Sequence, residues 1–131
     1  MRTLLAVACA LSLGACRSEP APKLEAKQPA VGWRPIGSWS GRGNTQTESF
    51  NIESWQWRIK WQTTNETSPG AGKFRLMVHS AVSGRPLSLA VEHQGAGRDI
   101  AYVSEDPRLF HLVVESSDED WSFSVEEAVS Q

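Results

Sequence analysis

The chain has little cysteine, little excess charge and no apolar run long enough to cross a membrane. Only two of its 131 residues are cysteine, Cys9 and Cys16, too few for the disulfide framework that holds many small secreted domains together. Thirteen basic and 15 acidic side chains leave a net charge of −2. That balance provides neither the basic face that nucleic acid requires nor a polybasic patch for anionic lipid. The apolar stretch from Thr3 to Ala15 falls short of the roughly 20 residues that span a bilayer as a helix. A sustained 3.6-residue hydrophobic period is also missing, so no long amphipathic helix is expected. What the chain does have is tryptophan, six residues in all, and their spacing carries most of the fold reading.

The N-terminus has the layout of a secretory signal. Met1-Arg2 is a short positive start, and TLLAVACALSLGA (Thr3 to Ala15) is uncharged, mostly apolar and ends in small residues. Leu13-Gly14-Ala15-Cys16 closely resembles the lipobox of bacterial lipoprotein precursors, in which an aliphatic and two small residues precede an obligatory cysteine. The resemblance implies a signal peptide over residues 1–15, cleavage between Ala15 and Cys16, diacylglycerol in thioether linkage on Cys16 and acylation of the new amino terminus. One acyl chain holds a protein only marginally, whereas two or more anchor it durably at about 0.8 kcal/mol per buried CH₂. With Cys9 removed and Cys16 lipidated, no thiol would remain for a disulfide, a metal site or nucleophilic catalysis. Cleavage would also remove Arg2, so 13 basic side chains become 12 against 15 acidic ones, net −3. Where there are two membranes, the resemblance implies retention at the inner one when Asp follows the lipidated cysteine. Arg17 stands there, which implies export to the outer membrane.

From Arg17 to Gly32 the composition changes to RSEPAPKLEAKQPAVG, with three prolines, alternating charges and almost no large apolar side chain. Such a stretch cannot bury enough surface to order itself, so residues 16–32 are expected to be a lipidated cysteine and a flexible tether. Sixteen residues fully extended reach roughly 55 Å.

Residues 33–131 read as one all-β domain. In Trp55-Gln56-Trp57-Arg58-Ile59-Lys60-Trp61-Gln62 the apolar residues alternate with polar ones, a period of two that puts Trp55, Trp57, Ile59 and Trp61 on one face of a strand. The same period places Phe50 and Ile52; Phe74, Leu76 and Val78; Leu87, Leu89 and Val91; and Trp121, Phe123 and Val125 inward. Ile100 and Tyr102 mark a short strand. Leu109 to Val114 is apolar at both parities, which predicts a central strand covered on both faces, with Phe110, Leu112 and Val114 in the core. Breakers recur at short intervals: Pro69-Gly70-Ala71-Gly72, Ser83-Gly84-Arg85-Pro86, Gly95-Ala96-Gly97 and Ser116 to Asp120. Seven to eight short strands with frequent turns predict a small antiparallel β-sandwich. The order of features, from Trp39-Ser40-Gly41 through the Trp55–Trp61 strand to Trp121-Ser122-Phe123-Ser124-Val125, resembles small β-sandwich modules of bacterial envelope proteins. That likeness covers packing residues and implies a fold, with no catalytic residue carried over.

Motifs for chemistry are near-misses. Gly37-Ser38-Trp39-Ser40-Gly41 has its serines at the wrong places for a nucleophile elbow, and Gly41-Arg42-Gly43 opens no dinucleotide loop. Lys73 after Gly72 lacks the flanking residues of a phosphate loop. His79, His93 and His111 come from three different strands, without metal-ligand spacing, and are expected to be an incidental trio. Asp118-Glu119-Asp120 is the one concentrated acidic patch. Asp118 and Asp120 are weak calcium candidates, and a solvated hairpin turn is the favoured reading. No cofactor is expected.

These readings favour a non-catalytic binding module, held to a membrane through Cys16 and recruiting another envelope protein, with sheet edges and end loops as its recognition surface. A carbohydrate-binding module is the alternative. By parity Trp55, Trp57, Trp61 and Trp121 belong to the core, which leaves Trp33 and Trp39, outside the regular strands, for stacking on sugars. A hydrolase using a carboxylate or His111 is the least supported reading.

Overall fold

A computed structural model describes residues 31–130; the signal segment, Cys16 and most of the tether lie outside them. Among the described residues nine strands form two antiparallel sheets with no helix. They are β1 (Val31–Arg42), β2 (Thr45–Gln46), β3 (Phe50–Ile52), β4 (Gln56–Thr64), β5 (Lys73–Ser80), β6 (Pro86–Gln94), β7 (Gly97–Ser104), β8 (Arg108–Ser117) and β9 (Asp120–Ser130). Sheet A has the order β1-β9-β4-β7. Sheet B has the order β2-β8-β5-β6, with β3 also pairing β8. The architecture is the all-β sandwich that alternation and turn spacing predict.

Between the sheets lie Trp57, Ile59, Trp61, Trp121, Phe123 and Val125 from sheet A, facing Phe50, Ile52, Phe74, Leu76, Val78, Phe110, Leu112 and Val114 from sheet B. Each of these is expected in the core, by period-two patterning for all but Phe110, Leu112 and Val114, which come from a run apolar at both parities. The core is aromatic: Trp57 packs on Phe110 at 5.1 Å and edge-on to Phe50 at 5.6 Å, while Trp61 packs on Phe74 at 5.6 Å. Ring pairs at such separations add about 0.5–1.5 kcal/mol each beyond the burial of their area.

Six expectations are corrected, and the first is the number of strands, nine among the described residues rather than seven to eight. Trp55 is 66% exposed rather than buried. The Ser54 hydroxyl accepts the Gln56 N–H at 3.2 Å, so the chain bends just before β4 and Trp55 falls off the ladder. Leu89 is 42% exposed, because β6 slips against β5 between Val91 and Leu89. The extra residue, Ala90, packs against the core in its place, as a β-bulge dictates. Strand β8 is central but not covered on both faces, since Leu109 stands exposed on the outer side of sheet B. Finally, Trp33 and Trp39 lie inside β1, a 12-residue strand that begins at Val31. Val31 and Gly32, expected to belong to the tether, already pair with Ser130 and Val129.

Two glycines explain how β1 is built. A Cβ on Gly37 would lie 2.8 Å from the Trp39 ring, and one on Gly41 would lie 3.0 Å from the Trp121 ring. Each missing side chain leaves the room that an indole ring occupies. The strand therefore carries turn-like residues without turning.

Candidate functional site

The outer face of sheet A presents an ordered array of side chains. Cross-strand register sets them in rows: Pro35, Glu126, Arg58 and Tyr102; then Ser38, Ser124, Lys60 and Ile100; then Ser40, Ser122, Gln62 and Arg98. Each row crosses β1, β9, β4 and β7 in turn. The second and third rows line a shallow depression with a serine floor.

The first row, with Trp33 beside it, makes a corner. Arg58 donates from Nε to Glu126 Oε1 at 2.7 Å, and its guanidinium carbon lies 4.1 Å from the centroid of the Trp33 ring. Tyr102 packs on Trp33 at 6.1 Å, tilted by 55°. Arg58 is thus held by a carboxylate and an indole, and Tyr102 backs that indole, so the corner is preformed. Its rim is apolar: Tyr102 is 66% exposed, and Val31 and Ile100 are exposed as well. Trp55 stands in the bend before β4, lining a neighbouring cleft with Gln56, Ser104 and Ala128. Trp, Tyr and Arg are the residue types that dominate binding energy at protein interfaces.

Of the two tryptophans expected on display, only Trp33 belongs to this face. Trp39 lies on the core side, stacked on Phe123 at 5.4 Å and tilted on Phe50 at 5.6 Å. Its indole N–H donates to Glu48 Oε2 at 3.1 Å, and that bond holds the Glu48 carboxyl below its ordinary range. One face of Trp33 is taken by Arg58. Parity analysis missed Tyr102 and Trp55, which the structure adds. The alternation Ile100, Tyr102 against Ala101, Val103 was the available signal, because the smaller Ala101 and the buried Val103 take the inward side.

The acidic turn does not converge. Asp118 occupies a left-handed conformation at φ 62°. Asp120 accepts from Arg42 and from Asn65, each at 2.9 Å, and these bonds lower its pKa. Among the described residues, no three His, Cys, Asp or Glu side chains come together as a metal ion would require. Glu119 departs from the picture of a solvated turn. Its side chain is 0% exposed, and neither carboxylate oxygen has a hydrogen-bond partner. It lies against Gly72, where a Cβ would collide with its oxygen. Burial raises its pKa, and the nearby Glu66 carboxylate raises it further, against smaller opposing pulls from His93, Thr63 and Arg42.

The histidine trio divides. His93 packs on Trp61 at 5.0 Å, with its ring over Gly97. His79 and His111 are opposite one another on β5 and β8, stacked at 5.1 Å on the outer face of sheet B. Burial, with the neighbouring His79 as the lesser cause, lowers the pKa of His111.

No protein-family model and no curated protein matches the chain.

Proposed function

We propose that this chain is a lipid-anchored, non-catalytic binding module of the bacterial envelope, which takes another envelope protein on the outer face of sheet A. The observation that carries this reading is the preformed corner of Trp33, Arg58 and Tyr102, extended by the exposed Trp55. Large aromatic side chains held in place lose little entropy on binding and bury much area, so they suit recognition rather than turnover. The lipobox motif and the Pro-rich segment before β1 supply the anchor and reach in this reading, and Arg17 directs the protein to the outer membrane where there are two membranes.

A photocrosslinking amino acid at Tyr102, set against one at Leu89 on the opposite sheet, tests the face. In cells, the substitution at 102 should give a discrete adduct that disappears with Trp55→Ala. Equal adducts from both positions, or none from 102, would sink the proposal. The anchor is tested by Cys16→Ser, which should leave an unprocessed chain without lipid by mass spectrometry.

A second reading is favoured by the serine rows. Ser38, Ser40, Ser122 and Ser124, with Lys60, Gln62 and Arg98, offer many hydrogen-bonding groups in one depression, a surface suited to a polyhydroxylated chain. Saturable quenching of tryptophan fluorescence by purified envelope polysaccharide, lost in Ser124→Val, would favour glycan over protein.

A further inference from the structure

We propose that His79 and His111 form a two-imidazole chelate for a divalent transition-metal ion on the outer face of sheet B. The sequence separates these residues by 32 positions, yet register sets them directly opposite one another on neighbouring antiparallel strands. Directly opposed residues have Cβ atoms about 4.5–5.5 Å apart, so both rings rise from a common base. Their centroids lie 5.1 Å apart with an interplanar angle of 29°.

Two features prepare the pair for a metal. His79 Nδ1 lies 3.2 Å from the Gly84 carbonyl oxygen in the β5–β6 turn. A carbonyl can only accept, so this bond places the proton on Nδ1 and leaves the Nε2 lone pair free. Metal-binding histidines are oriented by such a bond to the other ring nitrogen. The turn is itself fixed, with Gly84 N–H donating to the Ser80 carbonyl at 2.8 Å and Ser80 N–H to the Arg85 carbonyl at 2.9 Å. The His111 ring makes no hydrogen bond among the described residues. It is therefore free to turn about its Cβ–Cγ bond until its nitrogen meets that of His79 across one ion, which requires the two nitrogens within about 4 Å at bond lengths of about 2.0–2.1 Å.

Chemistry selects the ion. Neither ligand is a carboxylate or a thiolate, so calcium and magnesium are excluded as natural occupants and the imidazole-binding metals remain. Among these, affinity for nitrogen ligands peaks at copper(II). Among the described residues no third His, Cys, Asp or Glu joins the pair. Water or a donor from a second molecule would fill the remaining positions, which keeps the site open. His93 is apart from the pair, against Trp61, and serves as an internal control.

Copper(II) itself is the probe, added in substoichiometric steps to the full chain while the ring C–H resonances of all three histidines are followed by NMR. Paramagnetic broadening should strike His79 and His111 together and leave His93 sharp. In His79→Gln, broadening of His111 should need at least tenfold more copper, and the reciprocal change should follow in His111→Gln. Uniform broadening of all three rings would overturn the proposal, as would a His111 response unchanged by loss of His79. The wild-type pattern decides the question even if a variant folds poorly.

Discussion

Strands β1 and β4 lie on either side of β9 in the same sheet, and each delivers indoles to the core by a different device. In β4 the device is alternation. Trp57, Ile59 and Trp61 point inward and Arg58, Lys60 and Gln62 outward, with unbroken register to both neighbours. In β1 the device is subtraction. Gly37 and Gly41 remove the side chains that would meet Trp39 and Trp121, and the register slips between Pro35 and Gly37. A strand built by alternation announces itself in the sequence, whereas one built on missing side chains reads as a loop.

The comparison can be broken most violently at Trp57. Its side chain is fully buried against Phe50 and Phe110. Trp57→Ala should cost about 3–5 kcal/mol, a large share of the 5–15 kcal/mol that holds a typical domain together. Urea denaturation should show a greatly reduced midpoint or a chain already unfolded. Next comes Gly37→Val in β1. The added Cβ alone would lie 2.8 Å from the Trp39 ring, and overpacking of this kind costs about 1–3 kcal/mol. If β1 tolerated valine as an ordinary strand position does, the subtraction argument would be wrong.

The two strands also differ in what they offer a buried carboxylate. At the end where the chain enters, Arg34 of β1 reaches Glu127 at 2.8 Å, and the Glu127 side chain is almost wholly buried. Breaking a fully buried pair costs about 3–5 kcal/mol. Arg34 is half exposed, so water can partly replace it, and Arg34→Met should cost about 1–2 kcal/mol in a denaturation midpoint. At the far end, β4 brings only the Thr63 hydroxyl near Glu119. That hydroxyl already accepts from Gly97 N–H at 3.0 Å and faces the Gly95 carbonyl at 3.2 Å.

A smaller effect, with a definite sign, follows at Glu119. Its folded pKa is raised above the ordinary 4.5, so the folded state holds this proton more tightly than the unfolded chain does. The contribution favours folding below pH 4.5 and is lost as pH rises through the raised value. Glu119→Gln, which cannot ionise, should melt a few degrees higher than wild type at neutral pH. The gap should close as the pH is lowered past 4.5. A constant gap across that range would mean that Glu119 is ordinarily solvated.

How much of the domain was legible follows from these devices. Alternation disclosed β3, β4, β5 and β9 and the core they share, because one apolar residue per two positions has no competing explanation; β8, apolar at both parities, was disclosed as a strand but not as one with an open face. Alternation failed at β1, where proline and glycine imitate a linker, and at β6, where one bulge reversed Leu89 and Ala90. The outer face of sheet A was not legible as a site. Arg58, Glu126 and Tyr102 are far apart in the chain, and only strand order sets them in one row. The pairing of His79 with His111 and the burial of Glu119 depend on the same long-range register. A turn sequence rich in acids gives no sign that its middle residue faces inward.

The smallest structural effect belongs to Trp55, and it separates packing from recognition. By alternation Trp55 continues the series of Trp57 and Trp61, so a core reading would assign Trp55→Ala several kcal/mol. The structure puts it outside the ladder, 66% exposed, where substitutions usually change stability by no more than about 0.5 kcal/mol. An indole so exposed returns little to the fold, and the proposed recognition face is what gives it a role. Trp55→Ala should therefore melt like wild type while losing the crosslink from position 102. Loss of stability would return Trp55 to the core and weaken the recognition face, whereas unchanged stability with unchanged crosslinking would confine recognition to Trp33, Arg58 and Tyr102.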